Sequence, residues 1–296
     1  MGPRSQAVRV AGFGARALMD EDTAFAMAAP LLPESDPLSV AVTQRDRQTM
    51  QMVRDALDTG RLRLAFQPVV LAADTGRVAF HEGLIRILDE TGRTIPARDF
   101  IGAVETNETG RRIDCAALGI GLRTLHDHPA LRLSVNMSAR SIGYAPWLRT
   151  LDEGLAHDPT AGERLILEIT ESSAMLMPDI VTAFMARLQT RGISFALDDF
   201  GAGYTAFRYL KEFYFDIVKI DGQFIRGIAG NPDNQVLTQA LAMIGRHFDM
   251  FTVAESVETA AEADWLAAIG IDCLQGHLFG APSIRPAWMT ELRRSA

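Results

Sequence analysis

Short apolar runs recur along the chain after residue 60, and their pattern predicts β-strands. In residues 61–70 and 77–88 apolar and polar side chains alternate, which is typical of strands with two different faces. We expect a turn at Asp74, Thr75 and Gly76 to join these two strands, because Asp and Gly favour tight turns. Six further runs of strand type follow, at residues 131–136, 164–170, 193–198, 216–220, 251–255 and 271–275.

The stretches between the later strands have the period of amphipathic helices. For example, Ile180, Phe184 and Leu188 fall on one helical face, and Gly192 follows where that helix would end. Strands that alternate with helices favour an α/β fold. Eight strands of this kind in 296 residues predict a (β/α)8 TIM-like barrel.

The start of the chain differs in pattern from the rest. Residues 1–43 have no clear periodicity, and their prolines at 30, 33 and 37 are typical of a linker. Residues 44–59 have a helical pattern that ends before Gly60. We therefore predict an N-terminal extension over residues 1–43 and one folded domain over residues 44–296.

Polar side chains lie within or at the carboxyl end of seven of the predicted strands. They are Glu82, Asn136, Glu168, Asp198 with Asp199, Lys219, Glu255 and Gln275. A barrel brings these strand ends together at one mouth, and buried polar groups are costly unless they are paired. Any single member could be a cap or a turn residue, and Asp-Asp before Gly201 is also ordinary turn chemistry. As a set, however, these residues predict a functional site.

The donor atoms of this set indicate the kind of ligand. The five carboxylates and the amide of Asn136, with no Cys or His among them, favour hard divalent ions such as Mg2+ or Mn2+. So many acids would suit a pair of ions that activates water for attack on a phosphoryl group. Lys219 could orient or deprotonate that water, or neutralise charge on the phosphorus. Arg86 is expected on the same face of its strand as Glu82, and it could hold a phosphate.

Composition limits the class of partner and the compartment. The net charge of -8 gives no basic surface for a nucleic acid duplex. Two cysteines without a CxxC or Cys/His cluster argue against a disulfide scaffold and a structural zinc. We find no apolar run long enough for a membrane span and no secretory signal pattern, so we expect a cytoplasmic protein.

Eight short motifs together resemble one protein family. They are FQP at 66–68, EGLIR at 82–86, SVNMS at 134–138, EITE at 168–171, DDFGAGY at 198–204, VKID at 218–221, AESVE at 254–258 and QG at 275–276. Their order and spacing are similar to those of the EAL family, bacterial phosphodiesterases that open the second messenger cyclic di-GMP to linear pGpG. The resemblance covers roughly residues 44–282.

The resemblance implies a specific fold, cofactor and oligomeric state. The barrel would have an antiparallel first strand, the cofactor would be two Mg2+ or Mn2+ ions, and the protein would form a homodimer. By resemblance, one ion would be held by Glu82, Asn136, Glu168 and Asp198. Asp198 would bridge to a second ion that is held by Asp199 and Glu255.

The resemblance also assigns roles outside the metal set. Lys219 would assist the attacking water, and Glu171 would brace the loop over residues 200–206. The nucleotide would be contacted by Gln67, Leu84, Arg86, Asp221 and Gln275.

Two departures from the family pattern concern positions near the site. Gly83 replaces the usual Ala of the signature but removes no ligand, and Thr205-Ala206 replaces the usual Ser-Ser. Two other functions are compatible with parts of the pattern: a receptor that binds cyclic di-GMP without hydrolysis, and a barrel aldolase or isomerase. His126 and His128, two residues apart before Pro129, are interpreted as a solvated loop rather than a metal pair.

Overall fold

A computed structural model describes residues 37–203 and 210–291 of the chain. The chain divides into two units, Met1–Val42 and Thr43–Ala296. The strands that the structure describes lie in the second unit: β1 Leu62–Leu71, β2 Asp74–Leu88, β3 Thr94–Pro96, β4 Leu133–Asn136, β5 Leu165–Thr170, β6 Ser194–Phe200, β7 Ile217–Ile220, β8 Phe251–Ala254 and β9 Cys273–Gln275.

Helices occupy most connections between these strands. Their bounds are α1 Pro37–Asp58, α2 Ile101–Val104, α3 Glu108–Asp127, α4 Ala145–His157, α5 Glu171–Leu176, α6 Pro178–Gln189, α7 Gly222–Ile225, α8 Pro232–His247, α9 Ala260–Ala268 and α10 Ala287–Glu291. None of the helices in the described part of the chain has the length and apolar character needed to cross a membrane.

The strands form a closed barrel. Their order is β1-β9-β8-β7-β6-β5-β4-β2, and the pairing of β1 with β2 closes the ring. Strand β1 runs antiparallel to both β2 and β9. The other neighbouring strands of the ring, from the pair β2–β4 to the pair β8–β9, run parallel to each other. The predicted (β/α)8 barrel with an antiparallel first strand is therefore confirmed.

The structure differs from the sequence predictions at three local points. The hairpin between β1 and β2 turns at Ala72 and Ala73, and Asp74 already pairs with Leu71, so the expected turn at residues 74–76 is wrong. Helix α1 begins at Pro37 rather than residue 44, since proline is well tolerated in the first helical turn. Strand β3 was not predicted, because three residues are too few to show a period.

The barrel strands are buried on both faces, as parallel strands covered by helices must be. In β5, Leu165, Leu167 and Ile169 have almost no exposed surface, and Glu168 in the same strand is equally buried. Since no water reaches that carboxylate freely, it must find partners inside the barrel.

The end of β9 approaches the segment after β8 very closely at Gly276. The backbone N of Val257 donates to the carbonyl O of Gln275 at 2.9 Å, and the N of Leu278 donates to the O of Val257 at 3.2 Å. A Cβ atom on Gly276 would lie 2.0 Å from the carbonyl O of Val257. Only glycine fits this contact, which fixes the position of the two strand ends.

We therefore expect Gly276→Ala to destabilise the barrel. The clash is with backbone rather than with a flexible side chain, so the free energy of unfolding should fall by about 1–3 kcal/mol or more, measured by urea denaturation. Gly230→Ala is the matched control, because a Cβ there meets nothing within 4 Å, and it should change stability by less than about 0.5 kcal/mol. Equal stability of both variants would contradict the assigned contact.

The loop after β4 is anchored to α3 by one carboxylate. Asp114 Oδ2 accepts hydrogen bonds from the backbone N of Ser138 at 3.0 Å and from the Oγ of Ser141 at 2.5 Å. Burial raises the pKa of Asp114 to about 7, although both serine contacts oppose that rise. A raised pKa means that the folded state holds the proton more tightly than the unfolded state does.

This shift predicts a pH-dependent stability. As pH rises from about 4 to about 7, the unfolded state loses this proton while the folded state keeps it, so the contribution of Asp114 to stability falls by about 1.4 kcal/mol for each pH unit. Asp114→Asn should remove this part of the pH dependence. The measurement is the difference in free energy of unfolding between the two proteins at each pH, and a constant difference would contradict the prediction.

Candidate functional site

One ammonium group lies among four carboxylates at the carboxyl ends of the barrel strands. Lys219 Nζ is 2.7 Å from Glu255 Oε1, 3.0 Å from both Glu168 Oε2 and Asp198 Oδ1, and 3.4 Å from Glu82 Oε2. The Lys219 side chain is only 1% exposed. The structure thus brings together residues that the sequence places on five different strands or strand ends.

Parallel register explains why these side chains meet. Asn136 pairs with Glu168 across β4 and β5, and Thr170 pairs with Asp198 across β5 and β6. Because neighbouring parallel strands end at the same rim, polar residues near those ends share one space.

Amide side chains orient the Glu82 carboxylate. Asn136 Nδ2 donates to Glu82 Oε1 at 2.9 Å, and Gln275 Nε2 donates to Glu82 Oε2 at 2.6 Å. The same Nε2 is 3.2 Å from Gln67 Oε1, and Gln67 Nε2 donates to the carbonyl O of Gly280 at 3.1 Å. These contacts fix Glu82 in place before any ligand binds.

A second group of acids lies beside this centre. Asp198, Asp199 and Glu255 each offer a carboxylate oxygen, and these oxygens all lie within 4.8 Å of one another. Asp199 has a left-handed backbone with φ of 57°, where the register between β6 and β7 shifts. Non-glycine residues adopt this conformation at a cost, and such strain concentrates at functional sites.

The pKa shifts reflect crowding of negative charge. Burial raises the pKa of Glu255 to about 8 against the opposing effect of Lys219, and burial with the neighbouring Asp198 raises the pKa of Asp199 to about 6. Burial and the charge of Glu82 hold the pKa of Glu168 well above its usual range.

Two groups in the centre are stabilised in their charged forms. For Glu82, burial acts to raise the pKa, but Lys219 and the two amide donors outweigh it and the pKa is lowered. For Lys219, burial acts to lower the pKa, but Asp198, Glu168 and the other acids raise it well above the usual value. Lys219 is therefore suited to donate hydrogen bonds rather than to accept a proton.

The residues present fit hard divalent cations. One ammonium cannot neutralise Glu82, Glu168, Asp198, Asp199 and Glu255 together, and buried charges need partners. Glu168 Oε1 is buried without a hydrogen-bond partner in the described part of the chain. Oxygen donors of this kind match Mg2+ and Mn2+ rather than zinc or copper.

A cleft of about 400 Å3 opens above this centre. Of the residues singled out in the sequence, it is lined by Gln67, Glu82, Leu84, Arg86, Asp198, Lys219, Glu255 and Gln275. Arg86 Nη1 also donates to the backbone O of Ile85 at 2.9 Å. The cleft therefore combines acids at its base with a guanidinium on its wall.

Sequence reasoning missed two arginines in the cleft lining, Arg98 and Arg226. Arg98 follows β3, whose Pro96 pairs with Arg86, and Arg226 Nη2 donates to Ser256 Oγ at 3.0 Å. Neither arginine follows a predicted strand, so no periodic signal marked them.

Five residues with expected roles do not line the cleft: Asn136, Glu168, Asp199, Glu171 and Asp221. Glu171 is buried and its Oε2 accepts a hydrogen bond from the backbone N of Gly201 at 3.0 Å. Asp221 caps α7, accepting from the backbone N of Gln223 at 2.7 Å. The Thr205-Ala206 departure lies outside the described residues.

Comparison with known proteins identifies relatives for most of the chain. A family model for the EAL domain matches residues 50–282. The cyclic di-GMP phosphodiesterase NbdA of Pseudomonas aeruginosa is 32% identical over 253 residues, which are 84% of this chain and 32% of NbdA. This chain thus spans about a third of the length of that curated relative.

Solved structures show the same architecture. The PaMucR phosphodiesterase in complex with cyclic di-GMP is 30% identical, with a TM-score of 0.70 over 82% of this chain and 99% of that one. The FimX EAL domain from Pseudomonas aeruginosa bound to cyclic di-GMP is 25% identical, with a TM-score of 0.73 over 80% and 97% of the two chains. The chain therefore belongs to the EAL domain family.

Proposed function

We propose that this chain hydrolyses cyclic di-GMP to linear pGpG with the help of divalent metal ions. The observation that carries the proposal is the buried set of four carboxylates around Lys219, at the base of a cleft that also contains Arg86. The names of NbdA and the PaMucR phosphodiesterase support cyclic di-GMP as the substrate.

The acids divide into two groups that would each hold one ion. Glu82, Asn136, Glu168 and Asp198 would hold the first, and Asp199 with Glu255 would hold the second, with Asp198 between them. When bound, Mg2+ or Mn2+ supplies Lewis-acid chemistry that activates a water and stabilises the leaving oxygen of a phosphodiester.

The side chains of this chain bind and orient the substrate phosphate. Arg86 presents a planar fork of N–H donors on the cleft wall, a geometry that suits a phosphate. Lys219 is held by four carboxylates, so its ammonium has a fixed position from which to donate to the water or to a phosphoryl oxygen. Gln67 and Gln275 fix one edge of the cleft through their mutual contact.

The reaction is a single displacement at phosphorus. The water oxygen forms a bond to phosphorus, the bond from phosphorus to the ribose 3′ oxygen breaks, and the 3′ oxygen leaves with a proton. The phosphate remains on the 5′ oxygen, which gives linear pGpG.

A receptor that binds cyclic di-GMP without cleaving it is the second candidate. Cyclic di-GMP is bound both in the FimX EAL domain and in the PaMucR phosphodiesterase, so binding of the nucleotide is compatible with either candidate. The full acidic set favours hydrolysis, since a receptor has no need for five carboxylates beneath its ligand. The homodimer and the cytoplasmic location expected from the sequence stay predictions.

Hydrolysis should depend on both the metal and the acids that hold it. Purified protein with Mg2+ or Mn2+ should convert cyclic di-GMP to pGpG, identified by mass spectrometry, and EDTA should stop the reaction. Glu255→Gln should lower turnover by roughly 100-fold or more, because it removes a charge at the second ion's site.

The control for this experiment is binding of cyclic di-GMP, measured by calorimetry. Binding of the nucleotide with no pGpG after long incubation with metal would favour the receptor. Full activity in EDTA would contradict the metal mechanism.

Glu171 should act through the backbone of Gly201, which follows the end of the strand that carries Asp199. Glu171→Ala removes the acceptor for the Gly201 N–H, so we expect the Mg2+ concentration for half-maximal activity to rise about 10- to 100-fold. Glu171→Gln keeps an acceptor oxygen and should recover most of that loss. The exposed Glu90→Ala is the control. An unchanged metal requirement in Glu171→Ala would contradict this positioning role.

A further inference from the structure

Two histidines that the acidic centre does not use face each other on the surface. The Nε2 atoms of His126 and His157 are 3.2 Å apart, and their ring centroids are 4.2 Å apart. The interpretation of His126 and His128 as a solvated loop is wrong for His126, which lies in the last turn of α3, while His128 packs against Trp288. His126 is paired with a residue 31 positions away in sequence.

Close packing of α3 and α4 brings the two imidazoles together. A Cβ on Gly119 would lie 3.4 Å from Thr150 Cγ2, and one on Gly154 would lie 2.5 Å from Leu122 Cδ1. The two residues of each contact are separated by nearly the same number of positions in the sequence. Helices α3 and α4 therefore run side by side in the same direction. His126 lies one turn beyond Leu122, and His157 lies one turn beyond Gly154.

The pair lies at the carboxyl ends of two parallel helices. Helix α3 ends at Asp127 and α4 ends at His157, so both imidazoles lie in a last helical turn, where the helix dipole favours a cation. Arg164 Nη1 already donates to the carbonyl O atoms of Leu125 at 2.8 Å and of His128 at 3.3 Å at this edge. A cavity of about 390 Å3 adjoins the imidazoles, and its lining includes the carboxylates of Asp127 and Glu153 and the guanidinium of Arg123. The space is sufficient for water molecules to complete a coordination shell.

The separation of the two nitrogens matches that of two ligands on one ion. Zinc binds imidazole nitrogens at about 2.0–2.1 Å in tetrahedral geometry, which places two such nitrogens roughly 3.3–3.4 Å apart. The observed 3.2 Å is close to this value. A hydrogen bond between two neutral imidazoles would give a similar distance, so the two states are separated by experiment.

We propose that His126 and His157 bind one transition-metal ion of the zinc type, with water molecules as the remaining ligands. The site is distinct from the acidic centre in position, because helix carboxyl ends in a barrel lie at the opposite end from strand carboxyl ends. It is also distinct in chemistry, because imidazole nitrogens favour Zn2+ while the acidic centre favours Mg2+ or Mn2+. The proposal does not depend on the hydrolysis of cyclic di-GMP.

Calorimetric titration of Zn2+ into chelator-treated protein tests the proposal. Excess Mg2+ is kept in the buffer to occupy the acidic centre, and the variants are His126→Asn and His157→Asn. Each should weaken Zn2+ binding by about 10-fold or more, because each removes one of two protein nitrogens. The control is His247→Asn, since His247 is an exposed histidine at the end of α8 and should leave Zn2+ binding unchanged.

A second measurement covers the case in which a variant alters the fold. Both imidazoles are exposed, so the melting temperature without metal should be the same in all four proteins. Zn2+ should raise the melting temperature of the wild type and of His247→Asn but not of the two site variants. Equal Zn2+ affinity in all four proteins, or a loss in only one of the two site variants, would overturn the proposal and leave a hydrogen-bonded histidine pair.

Discussion

The contact of Lys219 with four carboxylates is the interaction on which the active end of the barrel depends. An ion pair at 2.7 Å whose ammonium is almost fully buried is strong only if the barrel holds both groups in place. Removal of the ammonium would leave four carboxylates that repel one another with little water to screen their charges. They are those of Glu82, Glu168, Asp198 and Glu255. The closed ring of strands supplies the rigidity, because no strand end can move without breaking a pairing on each side.

The same crowding makes the centre receptive to cations. A single ammonium satisfies each acid only partly, as the raised pKa values of Glu255, at about 8, and of Asp199, at about 6, show. A protein optimised for stability alone would replace some of these acids with apolar side chains. Their retention, together with the left-handed backbone of Asp199, indicates a site in which stability is given up for binding.

The strand pattern was sufficient to predict the barrel and the convergence of polar residues at its mouth. This succeeded because period-two patterns and strand-end positions are properties of sequence alone. The hairpin turn at Ala72 and Ala73 was missed because neither residue has turn preferences, so the register of β1 with β2 decided the turn. Arg98 was missed because a three-residue strand, invisible in the sequence, brings it to the cleft.

Gly83 illustrates a departure that only packing explains. A Cβ there would lie 3.1 Å from Leu64 Cδ1 and 3.2 Å from the backbone O of Ser134, tighter than ordinary contacts. Leu64 lies on β1 and Ser134 on β4, so Gly83 lets both neighbours approach the strand that holds Glu82. The substitution thus changes how the ligand strand is packed and leaves the ligand itself in place. Function in this fold depends on the positions of strand ends, and those positions are set by small residues as much as by the acids.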